Sequence, residues 1–173
     1  MDPIFQKALQ FTLQFEGGYV NHPADPGGAT NKGVTQLVYN SWRHDNNLPM
    51  QTVKKITQAE VEQIYYTNYW LKFGCNQLPE KLGIAVFDFC VNAGRRGTIK
   101  LQQVLGISDD GILGKGSFKA INDYIKTNGE IKLLVAYIEK RDEYYRAIGK
   151  GKLSVFLKGW LNRTKGLRTF LGL

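Results

Sequence analysis

The stretch Leu13-Gln14-Phe15-Glu16-Gly17-Gly18-Tyr19 decides how the N-terminal part of the chain folds. Before it, apolar residues recur at helical spacing, and Asp2-Pro3 is a typical helix start, since Asp caps free N–H groups and Pro tolerates the first helical position. Glu16 follows Leu13 by three residues, so the spacing places it on the apolar face. The pattern stops at Gly17-Gly18, which predicts a left-handed C-terminal cap. We therefore expect a carboxylate on the core side of the last helical turn.

A carboxylate in that position suits acid catalysis. Burial penalises the ionised form, and the negative end of the helix dipole repels it, so the protonated form is favoured. A neutral carboxylic acid is what a general acid needs to break an acetal bond. The alternative is a solvated Glu in a fraying turn, which is the usual environment of Glu. The apolar stripe favours the catalytic interpretation of Glu16.

The segment after Gly18 is too rich in Pro and Gly for a helix, and Tyr19-Val20 and Lys32-Gly33-Val34 predict short strands around a structured loop. Asp25 follows Glu16 by nine residues, and Thr30 comes five residues later. A glycosidase needs an acid and a second group on opposite sides of the scissile bond. Glu16, Asp25 and Thr30 are therefore the candidate catalytic residues, although acidic residues in such loops also commonly just close turns.

The rest of the chain predicts helices. Thr35 can cap a helix that runs to about Arg43, and Thr57-Gln58-Ala59-Glu60 is a capping box that opens another. Residues 82–93 are apolar nearly all round, which indicates the most buried helix, ended by Gly94. Further helical patterns continue to the C-terminus, without repeats. The fold class is therefore mainly α (α+β), with a small β-element after the first helix.

Several side chains are candidates for binding a substrate. In the aromatic run from Tyr65 to Trp70, helical spacing assigns Tyr65 and Tyr69 to the core and leaves Tyr66 and Trp70 partly exposed, where they could stack on sugar rings. Two polar residues inside the buried helix should find hydrogen-bond partners or face a cleft. A histidine in the loop is a possible acid–base group or a solvated turn residue, and with the nearby Asp it makes no convincing metal site. The candidate substrate-binding residues are Tyr19, His22, Tyr66, Trp70, Asp88 and Asn92.

Composition and charge exclude some classes of protein. The 43% hydrophobic content is that of an ordinary globular chain, and no apolar run reaches the length of a membrane span. The spacing of Cys75 and Cys90 matches no metal-binding or redox motif. Cys90 is predicted to be a buried thiol, and a disulfide between the two cysteines is the alternative. Residues 126–173 hold eleven Lys and Arg against four Asp and Glu out of a net charge of +8, so the excess positive charge is C-terminal. Such a surface attracts polyanions, or is simply a solvated helix surface.

The motifs together resemble a known family. The segment from Glu16 to Thr35, EGGYVNHPADPGGATNKGVT, is similar to the signature of glycoside hydrolase family 108, the lysozyme-like N-acetylmuramidases also called secretion activator proteins. Phe87-Asp88-Phe89-Cys90-Val91-Asn92-Ala93-Gly94 resembles the second block of that family. Asp109-Asp110-Gly111-Ile112-Leu113-Gly114 and Phe156-Leu157-Lys158-Gly159-Trp160-Leu161-Asn162-Arg163 resemble the predicted peptidoglycan-binding module that usually follows, although Lys115-Gly116-Ser117 stands where the module usually has Pro and Thr.

The resemblance implies a lysozyme-like fold with a catalytic region at 1–93 and a peptidoglycan-binding helical region at 94–173, packed as one compact unit. By position Glu16 corresponds to the catalytic acid, and Asp25 and Thr30 are candidates for the second carboxylate and for positioning water. The implied reaction is hydrolysis of the β-1,4 bond between N-acetylmuramic acid and N-acetylglucosamine, without a cofactor. Two rivals stay open: a catalytically inactive peptidoglycan-binding protein, and a basic nucleic-acid-binding protein, for which no motif is present.

The expected partners are peptidoglycan glycan strands and an anionic wall polymer, with the protein acting as a monomer and no nucleic acid involved. The N-terminus shows no basic region followed by an apolar segment, so we see no signal peptide. The expectation is therefore synthesis in the cytoplasm and a holin-like or other non-standard route to the wall, as in an endolysin of bacterial or phage origin.

Overall fold

A computed structural model describes residues 2–21 and 28–173. Its described residues form a mainly helical, lysozyme-like fold with a small hairpin after the first helix, which confirms the predicted fold class. Eight α-helices lie in this part of the chain: α1 Pro3–Leu13, α2 Gln36–Asp45, α3 Gln58–Tyr65, α4 Glu80–Ala93, α5 Arg96–Leu105, α6 Lys115–Asn128, α7 Glu130–Ile148 and α8 Ser154–Phe170. Short 3-10 turns at Val53–Lys55, Cys75–Gln77 and Gly151–Leu153 join some of them, and a π-helix at Tyr66–Leu71 continues α3.

Helix α1 begins as the sequence predicts and ends earlier. The Asp2 side chain accepts a hydrogen bond of 2.8 Å from the backbone N–H of Ile4, so Asp2 is the N-cap. The helix stops at Leu13, and neither Gly17 nor Gly18 has a positive φ, so the predicted left-handed cap at these glycines is wrong. Single turns carry the chain on instead, with the Glu16 N–H donating to the Leu13 carbonyl at 3.3 Å. Glu16 therefore lies on a turn just beyond the helix.

The β-element is a tight hairpin. Strands β1 Thr30–Asn31 and β2 Val34–Thr35 pair antiparallel, and Val20 adds an isolated bridge to Thr30. The predicted strand at Tyr19-Val20 is thus reduced to a single bridge. Lys32 and Gly33, predicted as strand, form the turn instead, because their φ values of 50° and 75° are both positive, as a two-residue type I′ turn requires. The Lys32 N–H donates to the Gly17 carbonyl at 3.1 Å, so this turn packs against the segment that carries Glu16.

The predicted helix caps of the next two helices are present. The Thr35 side chain accepts from the Val38 N–H at 3.3 Å. In the capping box the Thr57 hydroxyl accepts from the Glu60 N–H at 3.2 Å, while the Glu60 carboxylate accepts from the Thr57 N–H at 2.8 Å. Local chemistry alone fixes these helix starts.

Helix α4 is the centre of the molecule, as its apolar composition predicts. Nine consecutive residues, from Leu82 to Cys90, are buried, and α4 packs against α1, α5 and α7. Cys75 and Cys90 are both buried free thiols, and burial raises the pKa of each. The aliphatic and aromatic core of the described residues runs without interruption from α1 to the end of α8. Charged residues inside this core, described next, connect α4 to the candidate site.

Candidate active site

Asp88 lies in the middle of α4 and is completely buried. Its Oδ1 accepts from the Thr12 hydroxyl at 2.9 Å and from Arg163 Nη2 at 2.7 Å. Its Oδ2 lies 2.8 Å from Nη2 of Arg141, and Arg163 Nε contacts both oxygens at 3.1 and 3.2 Å. Burial alone would raise the pKa of Asp88, but the guanidinium groups of Arg141 and Arg163 outweigh it and lower the pKa below its ordinary value. Asp88 is therefore an ionised core carboxylate.

Arg141, on α7, balances the charge of Asp88 without aligned hydrogen bonds. Its side chain is fully buried, and none of its three guanidinium nitrogens has an aligned hydrogen-bond acceptor among the described residues. The guanidinium lies over the rings of Phe89, at 5.2 Å, and Tyr145, at 5.4 Å. Cation–π contacts and the charge of Asp88 thus replace water around this arginine.

Arg163, on α8, joins this core cluster to Glu16. Its Nη1 donates to Glu16 Oε1 at 3.2 Å while its Nε and Nη2 hold Asp88. The guanidinium also lies 5.0 Å from the centre of the Phe15 ring. The side chain of Arg163 is 6% exposed and that of Glu16 is 20% exposed. One guanidinium thus bridges a buried carboxylate and one that solvent can reach.

The hairpin turn forms the other wall around Glu16. A Cβ built on Gly33 would lie 2.8 Å from Glu16 Oε2 and would also collide with the Tyr65 hydroxyl, so only glycine fits here. The Tyr65 hydroxyl donates to the Lys32 carbonyl at 3.1 Å. Burial and then the charge of Glu16 raise the pKa of both Tyr65 and Tyr69, so both hydroxyls stay protonated. The Arg163 guanidinium, the Gly33 backbone and the Tyr65 hydroxyl thus border the Glu16 carboxylate.

Of the other two predicted catalytic residues, Thr30 lies within the described residues and Asp25 does not. Thr30 is partly buried in β1, where its backbone pairs with Val20 and Thr35. Asp25 and His22 fall outside the described residues, so their predicted roles stay predictions. Within residues 2–21 and 28–173, no group of three or more His, Cys, Asp or Glu side chains is suited to hold a metal ion.

Two of the predicted substrate-binding residues are core residues instead. Trp70 is 1% exposed, and its Nε1 donates to Asp2 Oδ2 at 3.1 Å, so the predicted partial exposure of Trp70 is wrong. The π-helix turns it inward, onto Phe5 and Phe87. Asp88 has its oxygens occupied by Thr12 and two arginines, so it faces no cleft.

Three of the others are accessible, at different places. Tyr19 is 40% exposed and lies under the ammonium group of Lys54 at 5.5 Å. Tyr66 is partly exposed, as predicted. It lines a groove of about 470 Å³ between α2 and the junction of α3 with the π-helix, and Glu16 is not among the residues that line this groove. Asn92 is exposed and accepts from the Tyr145 hydroxyl at 2.7 Å. Among the described residues, no hydrogen bond joins Tyr66 or Asn92 to Glu16.

The residues that sequence reasoning missed are Arg141, Arg163, Tyr65 and Gly33. A signal existed for the arginines: Arg141 lies three residues after Ile138 and four before Tyr145, and Arg163 lies three after Trp160 and four before Leu167. Each therefore falls inside the apolar stripe of its helix, where an unpaired charge is very costly. Two cations in apolar stripes and one carboxylate in an apolar helix predict a buried ion cluster.

The chain matches the family model of Glycosyl hydrolase 108 over residues 9–94 and that of the Predicted Peptidoglycan domain over residues 96–165. A solved structure of SagA from Brucella abortus is 32% identical in sequence, with a TM-score of 0.78, over 96% of this chain and 92% of that one.

The chain belongs to the glycosyl hydrolase 108 family.

No curated protein matches the chain closely enough to count as a relative. Membership in the glycosyl hydrolase 108 family confirms the predicted resemblance and implies glycoside hydrolase activity. The second match supports peptidoglycan as substrate or partner. None of the helices formed by the described residues combines the length and hydropathy that a transmembrane span requires.

Proposed function

We propose that the protein hydrolyses the β-1,4 bond between N-acetylmuramic acid and N-acetylglucosamine in peptidoglycan, with Glu16 as the general acid. The observation that carries the proposal is the setting of Glu16: it is 20% exposed, so a substrate can reach it, and fixed contacts hold it on two sides. A general acid must lie within hydrogen-bond reach of the leaving oxygen, and a fixed carboxylate meets that condition without reorganisation. The reaction is the same whether it serves lysis, wall remodelling or secretion.

Each named residue has a role in this proposal. Glu16 donates its proton to the glycosidic oxygen, and Asp25 stabilises the oxocarbenium-like state or activates water on the opposite face of the sugar. Thr30 helps position that water. Arg163 orients the Glu16 carboxylate through its 3.2 Å contact, and after proton transfer its charge stabilises the carboxylate that remains. The C-terminal helix α8 thus supplies a positioning residue to the N-terminal acid.

We also propose that the net charge of +8 attracts the enzyme to anionic wall polymer. The basic residues of α8 do not contribute equally to this. Lys158 and Lys165 are exposed. Arg163 is buried in an ion pair with Asp88, and Arg168 lies 3.6 Å from Asp142, so acidic side chains offset both of these charges. The attraction is long-ranged and falls as salt increases.

The deciding experiment is digestion of purified sacculi by wild type, Glu16→Gln and the control Glu62→Gln, in which a partly exposed carboxylate on α3 receives the same change. Wild type and the control should release fragments ending in reducing N-acetylmuramic acid, identified by mass spectrometry after borohydride reduction. Glu16→Gln should lose roughly 10²–10⁴-fold in rate, because a general acid is removed. Asp25→Asn should fall between the two.

Binding to sacculi separates the proposal from its first rival. Glu16→Gln should sediment with sacculi as wild type does, because only the proton donor has changed. A wild type that binds sacculi and releases no new reducing ends would make the protein an inactive binding module. Residual activity of Glu16→Gln above a tenth of wild type would assign the acid to another residue.

A further inference from the structure

The turn between α7 and α8 is the most exposed apolar element of the C-terminal half. Every residue of 150–156 is exposed, and this segment, which we call the turn patch, contains three large apolar side chains. Val155 is 75% exposed, Phe156 is 54% exposed and Leu153 is 44% exposed. Neighbouring apolar side chains exposed to this degree mark a surface that another partner covers.

Core contacts hold the turn patch in place. Gly149 is buried, and a Cβ there would lie 2.8 Å from the Tyr145 carbonyl oxygen and 3.0 Å from Leu157 Cβ, so the turn packs closely on α7. A series of stacked rings leads outward from the core: Tyr145 stacks on Trp160 at 5.3 Å, and Trp160 stacks on Phe156 at 5.9 Å. Phe156 is the exposed end of this series, so the patch is a supported projection.

The charge around the turn patch has one sign. Lys150 and Lys152 belong to the patch, and Lys158 follows Val155 by three residues, which places it on the same side of α8. All three lysines are exposed, and none forms an ion pair with any acidic side chain that the structure describes. Residues 144–173 contain seven Lys and Arg and no Asp or Glu. A partner of this surface must therefore be anionic.

We propose that the turn patch docks the protein on an anionic phospholipid bilayer, with the three apolar side chains entering the interface and the lysines contacting headgroup phosphates. A basic rim around exposed aliphatic and aromatic side chains is the pattern that binds membrane surfaces. The inference goes beyond the proposed reaction and does not depend on it. Its consequence is that a membrane-docked enzyme would act on the glycan nearest the bilayer.

Other partners fit the same surface less well. A glycan would need planar hydrogen-bonding groups beside the rings, and residues 149–161 contain no Asn, Gln, Asp or Glu, while the Ser154 hydroxyl already donates to the Gly151 carbonyl at 2.8 Å. A second copy of the chain would bring the lysines of both patches together, which repulsion disfavours. A soluble polyanion would use the lysines and leave Leu153, Val155 and Phe156 in water.

The test is co-sedimentation of the full chain with vesicles of equal parts phosphatidylglycerol and phosphatidylcholine, against vesicles of phosphatidylcholine alone. Wild type should bind only the anionic vesicles. The apolar variant Val155→Ser/Phe156→Ser should lose tenfold or more in partitioning, because removing about two methylene groups from the interface already has that effect. The basic variant Lys150→Gln/Lys152→Gln/Lys158→Gln should lose roughly a hundredfold.

Matched controls exist elsewhere on the surface. Leu37→Ser/Ile112→Ser removes two apolar side chains that are 70% and 60% exposed, nearly the exposure of Val155 and Phe156. Lys115→Gln/Lys126→Gln/Lys132→Gln removes the same charge from three exposed lysines on α6 and α7. Both controls should bind vesicles within about threefold of wild type, because their residues lie outside the patch. All substituted side chains are exposed, so circular dichroism should show unchanged folds.

A second readout separates insertion from simple charge attraction. Trp42 and Trp70 are buried, so brominated lipids should quench mainly Trp160, which stacks on Phe156. Quenching of wild type by anionic brominated vesicles, lost in the apolar variant, would support docking. Equal losses of vesicle binding in the patch variants and the control variants would overturn the proposal. So would an apolar variant that binds vesicles like wild type. A third contrary result would be vesicle binding without quenching of Trp160, with soluble heparin displacing wild type and the apolar variant equally well. The last two results would identify the partner as a soluble polyanion or wall polymer.

Discussion

The middle of α4 and the turn after α1 each place a carboxylate on the same guanidinium, yet the two carboxylates differ in every other respect. Asp88 is 0% exposed and has two arginines and Thr12 around it. Glu16 is 20% exposed, and among the described residues its carboxylate has one charged partner, Arg163, at 3.2 Å. An ion pair buried on all sides cannot exchange a partner without leaving a charge unpaired, whereas a half-open one can accept a substrate. We therefore propose that Asp88 serves the fold and that Glu16 serves the chemistry.

The largest expected effect is that of Asp88→Asn on stability. The substitution leaves the buried Arg141 without a counter-charge and leaves Arg163 with Glu16 alone, which should cost about 3–5 kcal/mol of the free energy of unfolding. For a chain of this size, the thermal midpoint should fall on the order of 10 °C. Differential scanning calorimetry of wild type and Asp88→Asn at neutral pH measures it. If Asp88→Asn lost less than about 1 kcal/mol of the free energy of unfolding, the proposed difference between the two carboxylates would be wrong, because Asp88 would then stabilise the fold no more than Glu16 does.

The difference in stability between wild type and Asp88→Asn should also depend on pH. The pKa of Asp88 is lowered in the folded state from an ordinary value of 3.8, so between the two values the folded protein binds fewer protons than the unfolded chain. The contribution of Asp88 to stability is therefore complete above pH 3.8 and is lost as the pH falls through the lower folded value. The gap between the thermal midpoints of wild type and Asp88→Asn should be constant near neutrality and narrow in acid. A gap that widens in acid would contradict an ionised Asp88.

Gly33→Ala should affect both stability and activity. The φ of +75° should cost about 1–2 kcal/mol for a residue with a Cβ, and that Cβ would push on Glu16 Oε2 and the Tyr65 hydroxyl. The displaced acid should lose roughly 10–100-fold in turnover. Gly106→Ala is the matched control, since its φ is +66° and a Cβ there would meet nothing. The control should lose similar stability and keep full turnover on sacculi; equal activity in the two variants would remove the hairpin turn from the site.

Arg163→Lys tests whether α8 positions the acid. Lysine keeps the charge and loses the fork that holds Asp88 and Glu16 together, so turnover should fall roughly tenfold with KM little changed. Arg141→Lys is its control, because Arg141 contacts Asp88 at the same distance range and does not touch Glu16. Both should be assayed well below their thermal midpoints. If Arg141→Lys loses as much turnover as Arg163→Lys, the Arg163 guanidinium affects activity only through the stability of the core.

The smallest expected effect is that of Glu16→Gln on stability. Partly exposed ion pairs contribute little, and the amide oxygen of Gln can still accept from Arg163, so the free energy of unfolding should change by less than about 1 kcal/mol at neutral pH. Urea denaturation of wild type and Glu16→Gln gives this difference. Set beside the expected loss of activity, a near-zero change would mark Glu16 as a residue kept for chemistry. A loss as large as that of Asp88→Asn would make Glu16 a structural residue.

Much of this molecule follows from local patterns in the sequence. Asp2, Thr35 and the Thr57–Glu60 box set helix starts through hydrogen bonds within a few residues, and the all-apolar run in α4 identifies the central helix. The apolar stripe also makes Glu16 a candidate residue, although α1 ends at Leu13 and Glu16 lies beyond the helical turn in which it was predicted. These features depend on neighbours in sequence, which the chain itself specifies. The end of α1 did not follow, because the chain bends at Leu13 into turns that pack on the hairpin, and Gly17 and Gly18 carry no left-handed cap.

Only the tertiary structure decided what surrounds Glu16. The sequence places Arg163 147 residues away from Glu16, and no local rule pairs them. Nor does local periodicity show that Trp70 turns inward to Asp2, because the π-helix changes the angle between successive side chains. Apolar stripes indicate that Asp88, Arg141 and Arg163 are buried, since each charge lies on a face that leaves water. Which charges meet, and which carboxylate stays within reach of solvent, depends on how α1, α4, α7 and α8 pack together.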